Sequence, residues 1–173
     1  FLTEALTREA LKALEDPIQK RKPFFLYMSH YAVHIPYSAD RRFVQKYLNK
    51  GLPEKEAEYA ALIEGMDDSL GKIMGYLREK DIDKNTIIIF LSDNGGFSMA
   101  PRSGEAFTHN QPLKSGKGSV YEGGIRVPML VKWPGVVKPA SITNQYVIIE
   151  DLFPTILEMG GVKQHRSIVQ DID

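Results

Sequence analysis

Apolar residues near the start of the chain recur at helical spacing: Leu2, Ala5, Leu6, Ala10, Leu11 and Leu14. That pattern predicts a helix, closed by Asp16-Pro17 because proline supplies no N–H to continue it. "PFFLYMS" (23–29) is a short continuous apolar run, the pattern of a strand buried on both faces. "ADRRFVQKYLNKG" (39–51) predicts a short helix with Gly51 at its end. Pro53 then opens a longer helix, whose expected buried face is Tyr59, Leu62, Ile63, Met66, Leu70, Ile73 and Leu77. After the turn "DIDKN", residues 86–92 form a second apolar strand. "VPMLVKWPG" gives a third, stopped at Pro134-Gly135, and "NQYVIIEDLFPTILEMGG" reads as a strand followed by a helix capped by Asp151 and ended at Gly160-Gly161. Helices alternating with apolar strands predict an α/β fold around a mostly parallel sheet flanked by helices.

In such sheets ligands sit beyond the carboxyl ends of the strands, and two polar clusters fall there. One is His30 to Ser38, where Pro36 stiffens the turn; the other is Ser92 to Asn94. Asp93 and Asn94 offer hard oxygen, suited to calcium or magnesium, although Asp-Asn-Gly is also the composition of a plain turn. His30 and His34 present imidazoles able to bond an anion or a metal, or simply to sit in solvent. A third cluster, "NQPLKSGKGSVYEGGIRVP" (110–128), brackets Lys117 between two glycines, so the backbone can bend close to a ligand and present the ammonium to an anion. The segment is no phosphate loop, since Gln111 and Gly118 occupy two of the positions that motif requires. The loop from 93 to 119 is long for a connection inside a domain, which favours a functional role.

Composition narrows the classes. The chain has 173 residues, enough for one core, and 22 basic residues balance 22 acidic ones, so no global field favours nucleic acid. No apolar run spans a bilayer. The first residues carry no basic n-region or apolar h-region of a signal peptide and read as a helix entered mid-protein. The absence of cysteine removes disulfides, thiolate metal sites and a cysteine nucleophile from this stretch.

"PLKSGKGSVYEGGIRVP", "FLSDNGG", "HIPY" after an apolar run, "YAALIEGMDDSLGKIMGYL" and "EDLFPTILEMGGV" together resemble the type I sulfatases, the arylsulfatase family within the alkaline-phosphatase-like superfamily. The resemblance implies that residues 1–173 are the C-terminal portion of a sulfatase catalytic domain, without its nucleophile-bearing half and without the small C-terminal domain. It implies hydrolysis of a sulfuric ester, on a sulfated carbohydrate or an aryl ester. Asp93 and Asn94 match a pair of calcium ligands, and Lys117 and His34 match the lysine and histidine that contact the sulfate ester. Arg126, Glu122 and Asp67 match recurring positions whose expected role is ion pairing or capping. The family's formylglycine arises in a C/S-x-P-x-R motif, which this stretch lacks; "SADRR" and "SMAPRS" do not supply it. Alone, these residues are therefore expected to be inactive, to bind calcium weakly, and to self-associate through an uncovered sheet edge. A periplasmic or secreted location follows by family analogy only, and no sulfate ester is singled out, although Arg102, Glu105 and His109 are placed to line a pocket mouth. The alternatives are a phosphate or phosphonate monoester hydrolase of the same superfamily and a non-catalytic binding module. Asn94, where two-zinc enzymes generally have histidine, disfavours the two-zinc phosphate esterases, whereas phosphonate monoester hydrolases that use a formylglycine stay open.

Overall fold

The computed structural model describes residues 1–34, 39–98 and 110–162. Pro36, Arg102, Glu105 and His109 lie outside the described residues. Three helices dominate the first half: α1 (Leu2–Gln19), α2 (Arg41–Leu48) and α3 (Glu54–Glu79). A two-stranded ribbon follows, β1 (Ile88–Leu91) and β2 (Met129–Lys132), with the short α4 (Glu122–Ile125) leading into β2 and α5 (Leu152–Met159) after it.

Both α1 and α2 pack on α3, and small residues make this possible. Ala57, Ala61, Gly65 and Ser69 recur every four residues and are buried, together with Leu62 and Leu77. Side chains four apart lie on one helical face, so this stripe lets neighbouring backbones approach closely. Most of the large side chains of the expected face stay outside that seam: Tyr59, Met66, Leu70 and Ile73 are half-buried and Ile63 is exposed. α1 is turned in the same way. It buries Thr3, Thr7, Ala10 and Leu14, whereas Leu2 is exposed. Periodicity predicted the helices, but the partner's shape selected the faces. α1 also runs past Pro17, because a missing N–H in the last turn costs only one bond; Arg21 and Lys22 donate back to the carbonyls of Ile18 and Pro17.

α2 is held by a buried carboxylate. Asp40 is 2% exposed and accepts from the Arg42 N–H (3.1 Å), from Arg42 Nε (3.0 Å) and from Arg42 Nη2 (2.6 Å). The same guanidinium reaches Glu4 on α1 and Asp68 on α3, so one cation ties three helices together. Gly65 makes room for this arrangement, since a Cβ there would stand 2.9 Å from Asp40 Oδ2. Arg42 holds the Asp40 carboxyl below its ordinary value of 3.8, and Lys72 does the same for Asp68. A carboxyl depressed in the folded state stabilises fully above its unfolded pKa, and that contribution is lost as pH falls through the folded one. Arg42→Met is therefore expected to cost about 1–3 kcal/mol at pH 7. The gap to the parent protein should close as pH drops below about 4. Chemical denaturation from pH 7 to pH 3 reads both effects, and a gap independent of pH would show that Asp40 is not the group involved.

The sheet differs from expectation. The described strands pair antiparallel, with Ile88 opposite Lys132 and Leu91 opposite Met129, rather than as neighbours in a parallel sheet. Residues 23–30 form no helix and pair with no strand among the described residues, and burial alternates along them, leaving Phe25 70% and Tyr27 80% exposed. Alternate side chains of the run are thus half-buried and exposed, and at its end His30 meets Ser69 on α3. Residues 144–148 likewise form no strand, and Tyr146 is 94% exposed. Asp151 acts one turn earlier than a cap of α5 would: its carboxylate accepts from the Ile148 N–H at 2.9 Å and closes the 3-10 turn Ile149–Asp151. Gly161, at φ +73°, ends α5 as expected.

Candidate active site

Because Leu91 and Met129 are paired, residues 92–128 leave and re-enter the ribbon at one end. Everything between them is carried on two adjacent feet, and inside that loop the backbone is tied to itself. The Gly95 N–H donates to the Gly124 carbonyl (2.9 Å), the Lys117 N–H to the Gly96 carbonyl (3.0 Å), and the Gly123 N–H to the Lys114 carbonyl (2.9 Å). Asn110 ties two segments of this clasp together. Its Oδ1 accepts from the Gly96 N–H (3.0 Å), while Nδ2 donates to the carbonyls of Gly96 (2.9 Å) and Ser115 (3.1 Å). One primary amide supplies both donor and acceptor, which is what two crossing backbones need.

Glycine is required where the backbones touch. A Cβ on Gly95 would overlap the Gly123 carbonyl, and one on Gly123 would overlap the carbonyls of Ser115 and Lys114. Both glycines are buried. The Gly-Gly pair at 123–124 is therefore a seat for the Asp-Asn-Gly turn more than a hinge. α4 closes the unit, with Glu122 and Arg126 forming an ion pair at 3.3 Å on its exposed side, the structural role expected of those two residues.

The clasp brings Asp93, Asn94 and Lys117 into one unit although 23 residues separate Asn94 from Lys117. Asp93 is exposed and Asn94 and Lys117 are half-buried. Asn94 Nδ2 donates to the Gly95 carbonyl (3.0 Å), which commits the amide nitrogen and leaves the oxygen as the ligand-type atom. Ser92 Oγ donates to the Asn94 carbonyl (2.9 Å) and fixes the turn from the strand side. His34 is carried on a separate turn, closed by its own N–H donating to the Tyr31 carbonyl (2.8 Å), with the two rings 5.4 Å apart. His30 points inward and meets Ser69 on α3. Asn110 was not identified from sequence. Its one local signal was its place at the head of the glycine-bracketed lysine segment, and its partner Gly96 lies 14 residues away.

A carboxylate and an amide oxygen, in a chain without cysteine, fit a hard oxygen-seeking cation. Among the described residues no group of three or more His, Asp or Glu is placed to hold a metal. Calcium takes six to eight oxygens, so residues 1–173 alone are expected to bind it with a Kd of about 10⁻⁴ M or weaker. Titration calorimetry on that segment would contradict this expectation by returning a Kd on the order of 1 µM or tighter.

The loop at this strand end gathers a carboxylate, an amide and a lysine into one unit, and the comparisons with known proteins supply the family. The family model described as Sulfatase matches residues 1–162, and the chain belongs to that family. It is 37% identical to a sulfatase of Formosa agariphila over 184 residues, covering 99% of this chain and 32% of that protein. It is 36% identical to mouse N-acetylgalactosamine-6-sulfatase over 171 residues, covering 98% of this chain and 31% of the relative. The chain thus spans about a third of the length of the curated relatives it matches. Among solved structures, that of Ps i-CgsB in complex with k-i-k-neocarrahexaose superimposes with a TM-score of 0.88 at 35% identity, over 100% of this chain and 36% of that one. The PsFucS1 sulfatase from Pseudoalteromonas sp. gives 0.73 at 28% identity, over 92% and 30%.

Proposed function

We propose that this chain is part of the catalytic domain of a sulfuric ester hydrolase that removes sulfate from a sulfated carbohydrate. The observation that carries the reading is the Asn110 clasp, which ties the Asp93-Asn94 turn to the Lys117 segment in a member of the sulfatase family. Asp93 and Asn94 would hold calcium, together with ligands from the remainder of the protein. A dication so held neutralises charge on the sulfuryl oxygens. Lys117, fixed through its own N–H, presents a cation beside the leaving oxygen, and His34 supplies the leaving group with a proton. The formylglycine nucleophile and the other half of a mostly parallel sheet would come from outside residues 1–173. A carbohydrate substrate is favoured by the relatives, one of them an N-acetylgalactosamine-6-sulfatase and another crystallised with a neocarrahexaose. In this reading the outward side of residues 23–30 and the exposed Tyr146 are faces that the rest of the domain covers, and residues 1–173 alone self-associate through them.

The test is turnover by the full-length protein. Release of inorganic sulfate is measured from sulfated oligosaccharides and an aryl sulfate, beside phosphate and phosphonate monoesters of the same alcohols. Sulfate release from the saccharides is the expected result. Faster cleavage of the phosphate or phosphonate esters would move the protein to another branch of the superfamily.

A further inference from the structure

The start of the His34-bearing turn is fastened to the helices by a file of buried hydroxyls. Thr7 Oγ1 donates to the Thr3 carbonyl at 2.7 Å. A hydroxyl has a single proton, so at the 2.6 Å contact between Thr7 and Ser69 the donor is Ser69. With that proton spent, Ser69 Oγ can only accept from His30 Nε2, 3.4 Å away. Nε2 must therefore be the protonated nitrogen. The other ring nitrogen, Nδ1, is buried and has no hydrogen-bond partner among the described residues. A second proton placed there would be a buried donor with nothing to receive it, which costs more than leaving the ring neutral. Burial also pushes the His30 imidazole below its ordinary range. Thr7 is 4% and Ser69 1% exposed, so solvent does not reverse the file.

We propose that His30 is a positioning residue for His34: the Thr3–Thr7–Ser69–His30 file locks His30 as the Nε2–H tautomer and pins the base of the turn that presents His34. His30 immediately precedes that turn, and the turn is closed by the His34 N–H on the Tyr31 carbonyl. A displacement at residue 30 is therefore transmitted through one closed turn and not absorbed by slack chain. The file also separates the two histidines chemically, since His30 has no proton to give away without breaking its anchor. The proposal rests on the reading of His34 as a group acting on the sulfate ester.

Two measurements on the full-length protein test it. In ¹⁵N-histidine NMR of the parent, His30 is expected to show a protonated Nε2 and a bare Nδ1, and Ser69→Ala to release the ring into exchange between tautomers. A protonated Nδ1 in the parent at neutral pH overturns the lock. In sulfate-release kinetics, Ser69→Ala and His30→Phe should each lower kcat by about 10–100-fold, the scale of a small misplacement of a reacting group. KM should move less than about 2-fold. His30→Gln, whose amide nitrogen reaches the Nε2 position, should recover most of the loss. Parental kcat in Ser69→Ala, or no recovery in a folded His30→Gln, overturns the positioning role. If His30→Phe fails to fold, Ser69→Ala and the NMR still decide. A parent protein that releases no sulfate from any ester overturns the proposed function itself, an outcome distinct from active variants that match the parent.

Discussion

Replacing Lys117 by alanine in the full-length protein is expected to lower kcat by roughly 10²–10³-fold, the scale for losing one preorganised electrostatic partner. The lysine is not a mobile surface cation, because its backbone N–H is bonded to Gly96 and its segment is held at Ser115 by Asn110. The side chain is therefore presented to a leaving oxygen from a fixed backbone base. The loss should fall on kcat and kcat/KM alike, as expected for an interaction made mainly in the transition state. Lys117→Arg should recover little, since a planar guanidinium cannot occupy the place of a compact ammonium. Steady-state kinetics with a sulfated oligosaccharide read the effect. Unchanged turnover in Lys117→Ala would remove the residue from the site.

The second large effect is expected from a residue that touches no substrate. Gly123→Ala places a methyl group on the carbonyls of Ser115 and Lys114, which are main chain and cannot rotate away. Overpacking of this kind costs about 1–3 kcal/mol. The easiest relief is displacement of residues 114–117, which carries Lys117 away from Asp93 and Asn94. A shift on the order of 1 Å is worth about 10²-fold in rate. The matched control is Gly71→Ala in α3, where an added Cβ meets nothing within 4 Å. That change should leave the rate unaltered and stabilise by about 0.5–1 kcal/mol, the helix preference of alanine over glycine. Thermal denaturation and kcat on both variants separate stability from geometry. Equal activity of Gly123→Ala and the parent would show that the clasp does not position the site.

Local grammar carried most of the elements. The four longer helices follow from apolar positions three and four apart, from Pro53 at the start of α3, and from Gly51 and Gly161 near the ends of α2 and α5. The two paired strands follow from short apolar runs broken by Asp-Asn-Gly and Pro-Gly. The buried faces did not follow. Threonines on α1 and small residues on α3 form the seam, because a close crossing needs small volume and places hydroxyls where they can bond each other, which a hydropathy pattern does not encode. The runs at 23–30 and 144–148 pair with no strand among the described residues, because pairing depends on a neighbour, not on the run.

The sequence by itself determined the residue types at the candidate site, an acid and an amide after a strand and a lysine between glycines, and the family to which the chain belongs. Only the tertiary structure decided that Asp93, Asn94 and Lys117 share one unit while His34 sits on another turn, and that Asn110 holds that unit closed. It alone brings His30 to the end of a file of hydroxyls on residues 39 and 23 positions away. The physical reason is range. Propensity and periodicity act over a few neighbouring residues, whereas a hydrogen-bond partner is chosen by whatever the fold brings within about 3 Å, however distant in the chain.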